Sequence, residues 1–268
     1  MAIAYLLRQP RAELLGITTV TGDVNKRAAI AEVLCRTVGR DDIPIVAGRS
    51  DALAHGPGQP WTAQYEAIAH LPHRLDRTPN SAVEFMRETI RARPGEITLL
   101  TIGPLGNIAL LFALDPEIPF LLKDIVSMAG AFFGHENHEW NCKCDPAACG
   151  IVTASKRPSH TWFGLDVTLQ CALPAEEIRS QFTGDLLECV ASMAEHWFSH
   201  TPHLVFHDPL AAAAIFEPDL CDYAKGRVIS TPEDAHTYFE SGPGNDRVAA
   251  TVKSREFFDH FFSVMREE

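Results

Sequence analysis

Short apolar runs rich in β-branched residues alternate with helix-like stretches along nearly the whole chain of 268 residues. Strands are expected at residues 14–20, 43–46, 97–102, 125–128, 161–165, 226–230 and 248–252, and helices at 25–38, 82–93, 107–114, 175–200 and 255–265. This alternation predicts an α/β fold with an open, mostly parallel sheet and helices on both faces. We find no internal repeat or convincing linker, so residues 1–268 are expected to form a single domain.

Polar residues follow four of the predicted strands at the point where each strand ends. They are Asp23, Gly106 with Asn107, Glu139 with Asn141, and, after a further strand end at Val205-Phe206, His207 with Asp208. In folds of this class, binding sites lie at the carboxyl ends of the strands, so we expect these residues to meet at one edge of one sheet. Together they offer carboxylates, amides, a backbone carbonyl and an imidazole. That set suits a hard metal ion, sugar hydroxyl groups and a proton donor.

For two of these residues, Asp208 and Asp23, a purely structural role is an alternative to a functional one. Asp145-Pro146 and Asp208-Pro209 are both typical of a helix start, with aspartate as the N-cap and proline as the first helical residue. Asp208 is therefore also expected as an N-cap before a helix over residues 210–216. Asp23 is equally compatible with a turn.

The charge balance excludes several classes of partner. Lysine and arginine number 23 against 35 acidic residues, which gives a formal net charge of −12, and we find no basic run. Such a chain repels nucleic acid and anionic membrane surfaces and favours a small neutral or metal-assisted ligand. The longest apolar stretch, residues 97–114, is interrupted by Gly103, Pro104 and Gly106, so it is predicted to be a strand, turn and helix rather than a membrane span.

The seven cysteines indicate a reducing compartment. Their number is odd, and the first residues lack a secretory signal, so a cytoplasmic protein with free thiols is expected. Cys142, Cys144 and Cys149 with His138 leave a structural zinc site as an alternative, although the spacing matches no usual zinc motif. The segment Gly242-Pro243-Gly244 is expected to be a loop rather than a phosphate-binding turn.

Six segments, in this order, resemble the inosine-uridine-preferring nucleoside hydrolase family. They are Leu14-Leu15-Gly16-Ile17-Thr18-Thr19-Val20-x-Gly22, Gly103-Pro104-Leu105-Gly106-Asn107-Ile108-Ala109, Met128-Ala129-Gly130, Glu139-x-Asn141-x-x-x-Asp145-Pro146-x-Ala148, Leu165-Asp166-Val167-Thr168 and His207-Asp208-Pro209-x-Ala211. Each segment alone is unspecific, whereas the combination is specific and covers most of the chain.

The resemblance implies hydrolysis of the N-glycosidic bond of ribonucleosides to ribose and free base, as in purine and pyrimidine salvage. A bound Ca²⁺ is implied to hold the ribose hydroxyls and the attacking water, which fits the general chemistry of metal-bound water. The resemblance assigns substrate contacts to Asp23, Met128, Glu139, Trp140 and Asn141, metal ligands to Asp208 and the carbonyl of Gly106, and protonation of the departing base to His207. It also implies a homodimer or homotetramer.

Two departures from the family pattern stand out. Asp23 occupies a position where the family usually has asparagine, so its side chain accepts but cannot donate a hydrogen bond. The family also opens with a strand that leads into Asp-x-Asp-x-x-x-Asp-Asp, and this sequence contains no such cluster. That strand is expected near the middle of the sheet, so its neighbours should lack a pairing partner.

Two hypotheses follow from the second departure. In one, the chain is a nucleoside hydrolase whose Met1 is an internal methionine, with the aspartate cluster encoded upstream. In the other, it is a catalytically inactive nucleoside- or ribose-binding or structural homologue. Base contacts are expected in residues 48–80 and near residues 197–203, and the sequence does not select the base. His196, His200 and His203 are interpreted as a solvated group rather than base contacts.

Overall fold

The computed structural model describes residues 1–134, 138–231 and 233–266. The strands in these residues are β1 (Ile17–Thr19), β2 (Ile45–Ala47), β3 (Thr98–Thr101), β4 (Asp124–Met128), β5 (His160–Phe163), β6 (Ala172–Pro174), β7 (His203–Val205), β8 (Cys221–Ser230), β9 (Thr237–Ser241) and β10 (Asp246–Val252). The α-helices are α1 (Ala2–Arg8), α2 (Val24–Thr37), α3 (Tyr65–Ile68), α4 (Ala82–Ala92), α5 (Gly106–Leu114), α6 (Ile118–Leu121), α7 (Trp140–Cys144), α8 (Pro146–Ala154), α9 (Leu165–Thr168), α10 (Ala175–Gln181), α11 (Asp185–Phe198), α12 (His207–Ala214) and α13 (Ser254–Arg266), with a 3-10 helix at Pro218–Leu220.

The main sheet has six strands in the order β3-β4-β5-β10-β8-β9. Its first four strands are mutually parallel, and β8 and β9 extend it in antiparallel fashion. The predicted α/β class with a mostly parallel sheet is therefore confirmed. Strand β9, which the apolar pattern did not predict, supplies the antiparallel edge.

Helices cover both faces of this sheet, and strand β5 shows how the sequence achieves it. Consecutive residues of a strand point to opposite faces. Trp162 accordingly packs in the core cluster with α4, α5 and α8, while Phe163 packs in the cluster with α1, α11, α12 and α13. Both side chains are fully buried. Within the described residues, no helix has the length and apolar character needed to cross a bilayer.

Strands β1 and β2 form a parallel sheet of their own. In the described parts of the chain, no strand pairs with the free edge of β1 or with that of β3, as the second departure from the family pattern predicts. The two sheets meet at Asn107 instead. Its Nδ2 donates to the carbonyl oxygen of Thr19 at 2.9 Å, and its Oδ1 accepts from the amide of Arg49 at 3.0 Å.

Three sequence predictions need correction. The helical region at 175–200 is two helices, because Gly184 adopts φ +81° between α10 and α11. Asp208 is not an N-cap: α12 begins at His207 after Phe206, so Asp208 is the second helical residue. The strand before α12 is β7, which within the described residues forms a two-stranded sheet with β6. With β1 also in a separate sheet, the four polar strand ends do not lie on one sheet.

Candidate active site

Glu139 begins helix α7 and is almost completely buried. Its carboxylate accepts hydrogen bonds from the backbone amides of Asn141 at 2.8 Å, Cys142 at 3.0 Å and Gly130 at 3.2 Å. Burial raises the pKa of this carboxyl, and the three amide donors oppose that rise. The sequence predicted Glu139 as a site residue, and the structure adds that its orientation is fixed by the helix terminus that it caps.

Asn141, the second residue of the same helix, connects α7 to the end of β4. Its Nδ2 donates to the carbonyl oxygen of Met128 at 3.0 Å and lies 3.7 Å from the Met128 sulfur. The side-chain NH2 group therefore directs its donors to Met128, and the carbonyl oxygen Oδ1 is the group left to accept from a ligand. The structure thus brings Met128, Glu139 and Asn141 together.

Residues 130–133, which follow β4, are held by side chains from distant parts of the chain. Thr237 Oγ1 accepts from the amide of Ala131 at 2.9 Å and donates to its carbonyl at 3.1 Å. Asp166 accepts from the amides of Phe132 and Phe133, both at 2.8 Å. Sequence reasoning did not assign a role to Asp166 or Thr237, although Asp166 lies in one of the family-like segments. These contacts fix the segment whose Gly130 amide bonds to Glu139.

His207 is the first residue of α12, a helix that packs against β4 and β5. Its Nδ1 lies 2.7 Å from Thr168 Oγ1, at the end of α9. Burial lowers the pKa of His207 to about 4, so the imidazole is neutral at physiological pH. The expected role of protonating the departing base therefore has to be performed by a neutral ring or by transient protonation.

The carboxylate of Asp208 makes no hydrogen bond or salt bridge to any residue among 1–134, 138–231 and 233–266, although the side chain is half-buried. Burial raises its pKa to about 7; the amino group of Met1 opposes this rise and the charge of Glu139 adds to it. An unpaired carboxylate at the start of a helix is available for a cation, a water molecule or a substrate hydroxyl.

The described residues do not make a calcium site by themselves. Calcium takes about six to eight oxygen ligands, including several carboxylates. In the described ranges, no group of three histidine, cysteine, aspartate or glutamate side chains is placed to hold a metal ion. Gly106 is buried at the first position of α5, where a Cβ atom would lie 2.9 Å from Asp145 Oδ2. Asp145 itself is occupied as the N-cap of α8 and by the amide of Leu53.

Asp23 and Trp140 lie at the exposed side of the predicted site. Asp23 is the N-cap of α2 and accepts from the amide of Lys26 at 2.9 Å, so a structural role accounts for one of its oxygens. The indole Nε1 of Trp140 donates to Gln59 Oε1 at 3.1 Å. The backbone amide of Gln59 in turn donates to Thr21 Oγ1 at 2.8 Å. Residues 48–62 thus cover the side of the site formed by α2 and α7.

The zinc alternative gains no support in the described residues. The sulfur atoms of Cys142 and Cys149 lie 3.3 Å apart in the core, but Cys144 instead donates to the carbonyl of Gly58. The ring of His138 packs against His236, with centroids 4.5 Å apart. All seven cysteines are free thiols. The histidines at 196, 200 and 203 are exposed, as the solvated interpretation predicts.

Mostly parallel α/β folds of this kind carry their small-molecule sites near the carboxyl ends of the strands. Residues 1–259 match the family model described as "inosine-uridine preferring nucleoside hydrolase". The chain therefore belongs to the inosine-uridine preferring nucleoside hydrolase family, and it is a ribonucleoside hydrolase. The resemblance seen in the sequence is confirmed.

Individual relatives agree with this assignment. Uridine nucleosidase 1 of Arabidopsis thaliana is 32% identical over 90% of this chain and 78% of its own length. The non-specific ribonucleoside hydrolase RihC of Escherichia coli is 30% identical over 82% of this chain and 76% of its own. Nothing in these relatives favours the inactive alternative.

Solved structures show the same fold. A plant nucleoside hydrolase superposes with a TM-score of 0.85 at 22% identity, covering 100% of this chain and 95% of that one. A purine-preferring ribonucleoside hydrolase from Gardnerella vaginalis superposes with a TM-score of 0.81 at 26% identity, covering 98% of this chain and 93% of that one.

Proposed function

We propose that this chain hydrolyses pyrimidine ribonucleosides, with uridine as the preferred substrate, and that the site described above performs the reaction. The choice of base is supported by the 32% identity to Uridine nucleosidase 1, which extends over 90% of this chain. The choice of site is supported by one structural observation: Glu139 and Asn141 bond to residues at the end of β4, the strand against which the helix with His207 and Asp208 packs.

The ribose would bind to acceptors. The side-chain nitrogen of Asn141 donates to Met128, and three backbone amides orient the carboxylate of Glu139. Both therefore present oxygen acceptors to the hydroxyl donors of the sugar. The negative charge of Glu139 also favours the positive charge that develops on the sugar ring as the glycosidic bond breaks. Asp23 would add a further acceptor at the exposed edge.

The base would leave between His207 and Trp140. The Trp140 ring is 43% exposed and offers an apolar surface to a planar base. His207 is neutral because burial lowers the pKa of its imidazole, so it would assist the departing base as a hydrogen-bond donor. This role suits a leaving base whose developing negative charge needs stabilisation.

The family resemblance implies a bound Ca²⁺, with Asp208 and the carbonyl of Gly106 among its ligands. Asp208 fits that role because its carboxylate is unpaired, whereas the described residues do not supply the remaining ligands. Calcium binding therefore stays a prediction, and no step above depends on it. A calorimetric titration of chelator-treated protein with Ca²⁺ tests it: heat that Asp208→Asn abolishes supports the prediction, and no heat contradicts it.

Release of ribose and free base from uridine, cytidine and inosine is the test of the proposed function. We expect kcat/KM to be highest for uridine and lowest for inosine. Lower turnover of 2′-deoxyuridine and 3′-deoxyuridine would support the ribose contacts. A preference for inosine would contradict the proposed base. Cytoplasmic location, a role in nucleoside salvage and a homodimeric or homotetrameric state stay predictions from the sequence.

A further inference from the structure

Thr168 is a fully buried threonine whose hydroxyl contacts the ring of His207. The distance from Thr168 Oγ1 to His207 Nδ1 is 2.7 Å. Thr168 closes the short helix α9, and His207 opens α12, 39 residues later. The contact therefore joins two elements that sequence proximity does not bring together.

The hydrogen atoms of this contact can be assigned by counting donors and acceptors. A threonine hydroxyl carries one donor hydrogen, and a neutral imidazole carries one hydrogen on either of its nitrogens. Within the described residues, His207 is the only hydrogen-bond partner of the Thr168 hydroxyl. By contrast, Thr153 directs its hydroxyl to the helix carbonyls of Cys149 and Gly150.

Only one arrangement satisfies both groups. If Nδ1 of His207 donated to Thr168, the hydroxyl hydrogen of Thr168 would be buried without an acceptor, which is costly. If the hydroxyl donates to Nδ1 instead, the buried hydroxyl hydrogen of Thr168 has its acceptor. The ring hydrogen of His207 then resides on Nε2, which has no hydrogen-bond partner among the described residues.

We propose that Thr168 is a positioning residue that holds His207 as the Nε2–H tautomer, so that the neutral ring presents an N–H donor to an acceptor atom of the departing base. The identity of the acceptor atom rests on the proposed function. The position of the ring hydrogen does not depend on the proposed function. The role is donation of a hydrogen bond: the N–H bond stays intact, and the base takes its proton from solvent.

The tautomer can be measured directly. Two-bond ¹H–¹⁵N spectra of histidine-labelled protein at neutral pH distinguish a protonated Nε2 from a protonated Nδ1, and His207→Gln identifies the His207 signals by their loss. We expect the Nε2–H pattern in the wild type and in Thr168→Ser, which keeps the hydroxyl. In Thr168→Val, which keeps the shape but removes the hydroxyl, we expect a mixture of tautomers.

Kinetics on uridine provides the second measurement. Thr168→Val should lower kcat by about tenfold to a hundredfold with little change in KM, since the donor acts on the departing base. Thr168→Ser should restore most of the rate, and Thr153→Val should behave as the wild type.

An Nδ1–H signal in the wild type would overturn the proposal, as would a Thr168→Val protein with unchanged tautomer and kcat. The Nε2–H pattern in a wild type without turnover would overturn the proposed function and leave the tautomer assignment standing.

Discussion

Asn141 fastens helix α7 to the end of strand β4, because its side-chain amide donates to the carbonyl oxygen of Met128 across 3.0 Å. This bond determines which atom of Asn141 remains for a ligand. It also links the position of α7, and hence of its N-cap Glu139, to the main sheet. A substitution at Asn141 should therefore affect both stability and turnover.

Asn141→Asp replaces the donor with an acceptor of the same shape. The Met128 carbonyl would then face a carboxylate oxygen, so we expect the free energy of unfolding to fall by about 1–3 kcal/mol. We expect kcat/KM for uridine to fall about a hundredfold. Urea denaturation and steady-state kinetics measure the two effects. Gln64→Glu makes the same chemical change at an exposed position and should leave the free energy of unfolding unchanged.

Asp208→Asn should separate activity from stability. The pKa of Asp208 is raised from 3.8 to about 7, so the native state binds more protons than the unfolded state between these values, and stability falls as pH rises through that window. Asparagine removes this effect, and we expect a gain of about 1–2 kcal/mol above pH 7 and little gain near pH 4. Turnover should fall about a thousandfold or more.

Denaturation of the Asp208→Asn protein at several pH values, together with ribose release, tests these expectations. Asp219→Asn, at an exposed aspartate of the 3-10 helix, is the matched control and should change neither curve. Wild-type turnover by Asp208→Asn would rule out Asp208 as a functional carboxylate.

His207→Gln should flatten the acid side of the stability profile. The pKa of His207 is lowered from 6.5 to about 4, so between these values the unfolded state binds a proton that the native state does not. The wild type therefore loses stability as pH falls through this window, and the variant should lose about 1–2 kcal/mol less. His200→Gln, at an exposed histidine, should keep the wild-type slope. Equal slopes for all three proteins would contradict the burial of His207.

Asp246→Ala should be the most destabilising of these substitutions. Asp246 Oδ1 accepts from Arg157 at 2.6 Å and from the Trp162 indole at 3.2 Å, and Oδ2 accepts from the amide of Val228 at 2.7 Å. Removing the carboxylate leaves a buried guanidinium unpaired, which costs about 3–5 kcal/mol. Glu195→Ala breaks the exposed pair with Arg179 and should cost at most about 1 kcal/mol. Thermal unfolding compares the two, and similar midpoints would refute the prediction.

Local sequence patterns were sufficient to predict most of the fold. The apolar runs at β4 and β5 mark strands because these strands lie in the interior of the sheet. The Asp145-Pro146 pair correctly marks the start of α8, where Asp145 Oδ1 accepts from the amide of Ala148. The Asp208-Pro209 pair led to the wrong prediction that Asp208 is an N-cap. The pattern does not show that the helix has already begun at His207.

The positioning side chains could not be predicted in this way. Thr237 contacts Ala131 over 106 residues, and Thr168 contacts His207 over 39. Neither hydroxyl has a local sequence signature, since its role arises only when the chain is folded. Gly184 is different: the glycine before an acidic helix start was a visible break signal within the region predicted as one helix.

The separation of β1 and β2 from the main sheet has a consequence for local unfolding. Backbone pairing across a continuous sheet makes the separation of one strand depend on its neighbours, whereas the small sheet contacts helix α5, which follows β3, through the side chain of Asn107. The small sheet can therefore lose its ladder while the large one stays intact. In native-state hydrogen exchange, amides of β1 and β2 should report a lower opening free energy than those of β4 and β5. The protein would then behave as two cooperative units of unequal stability.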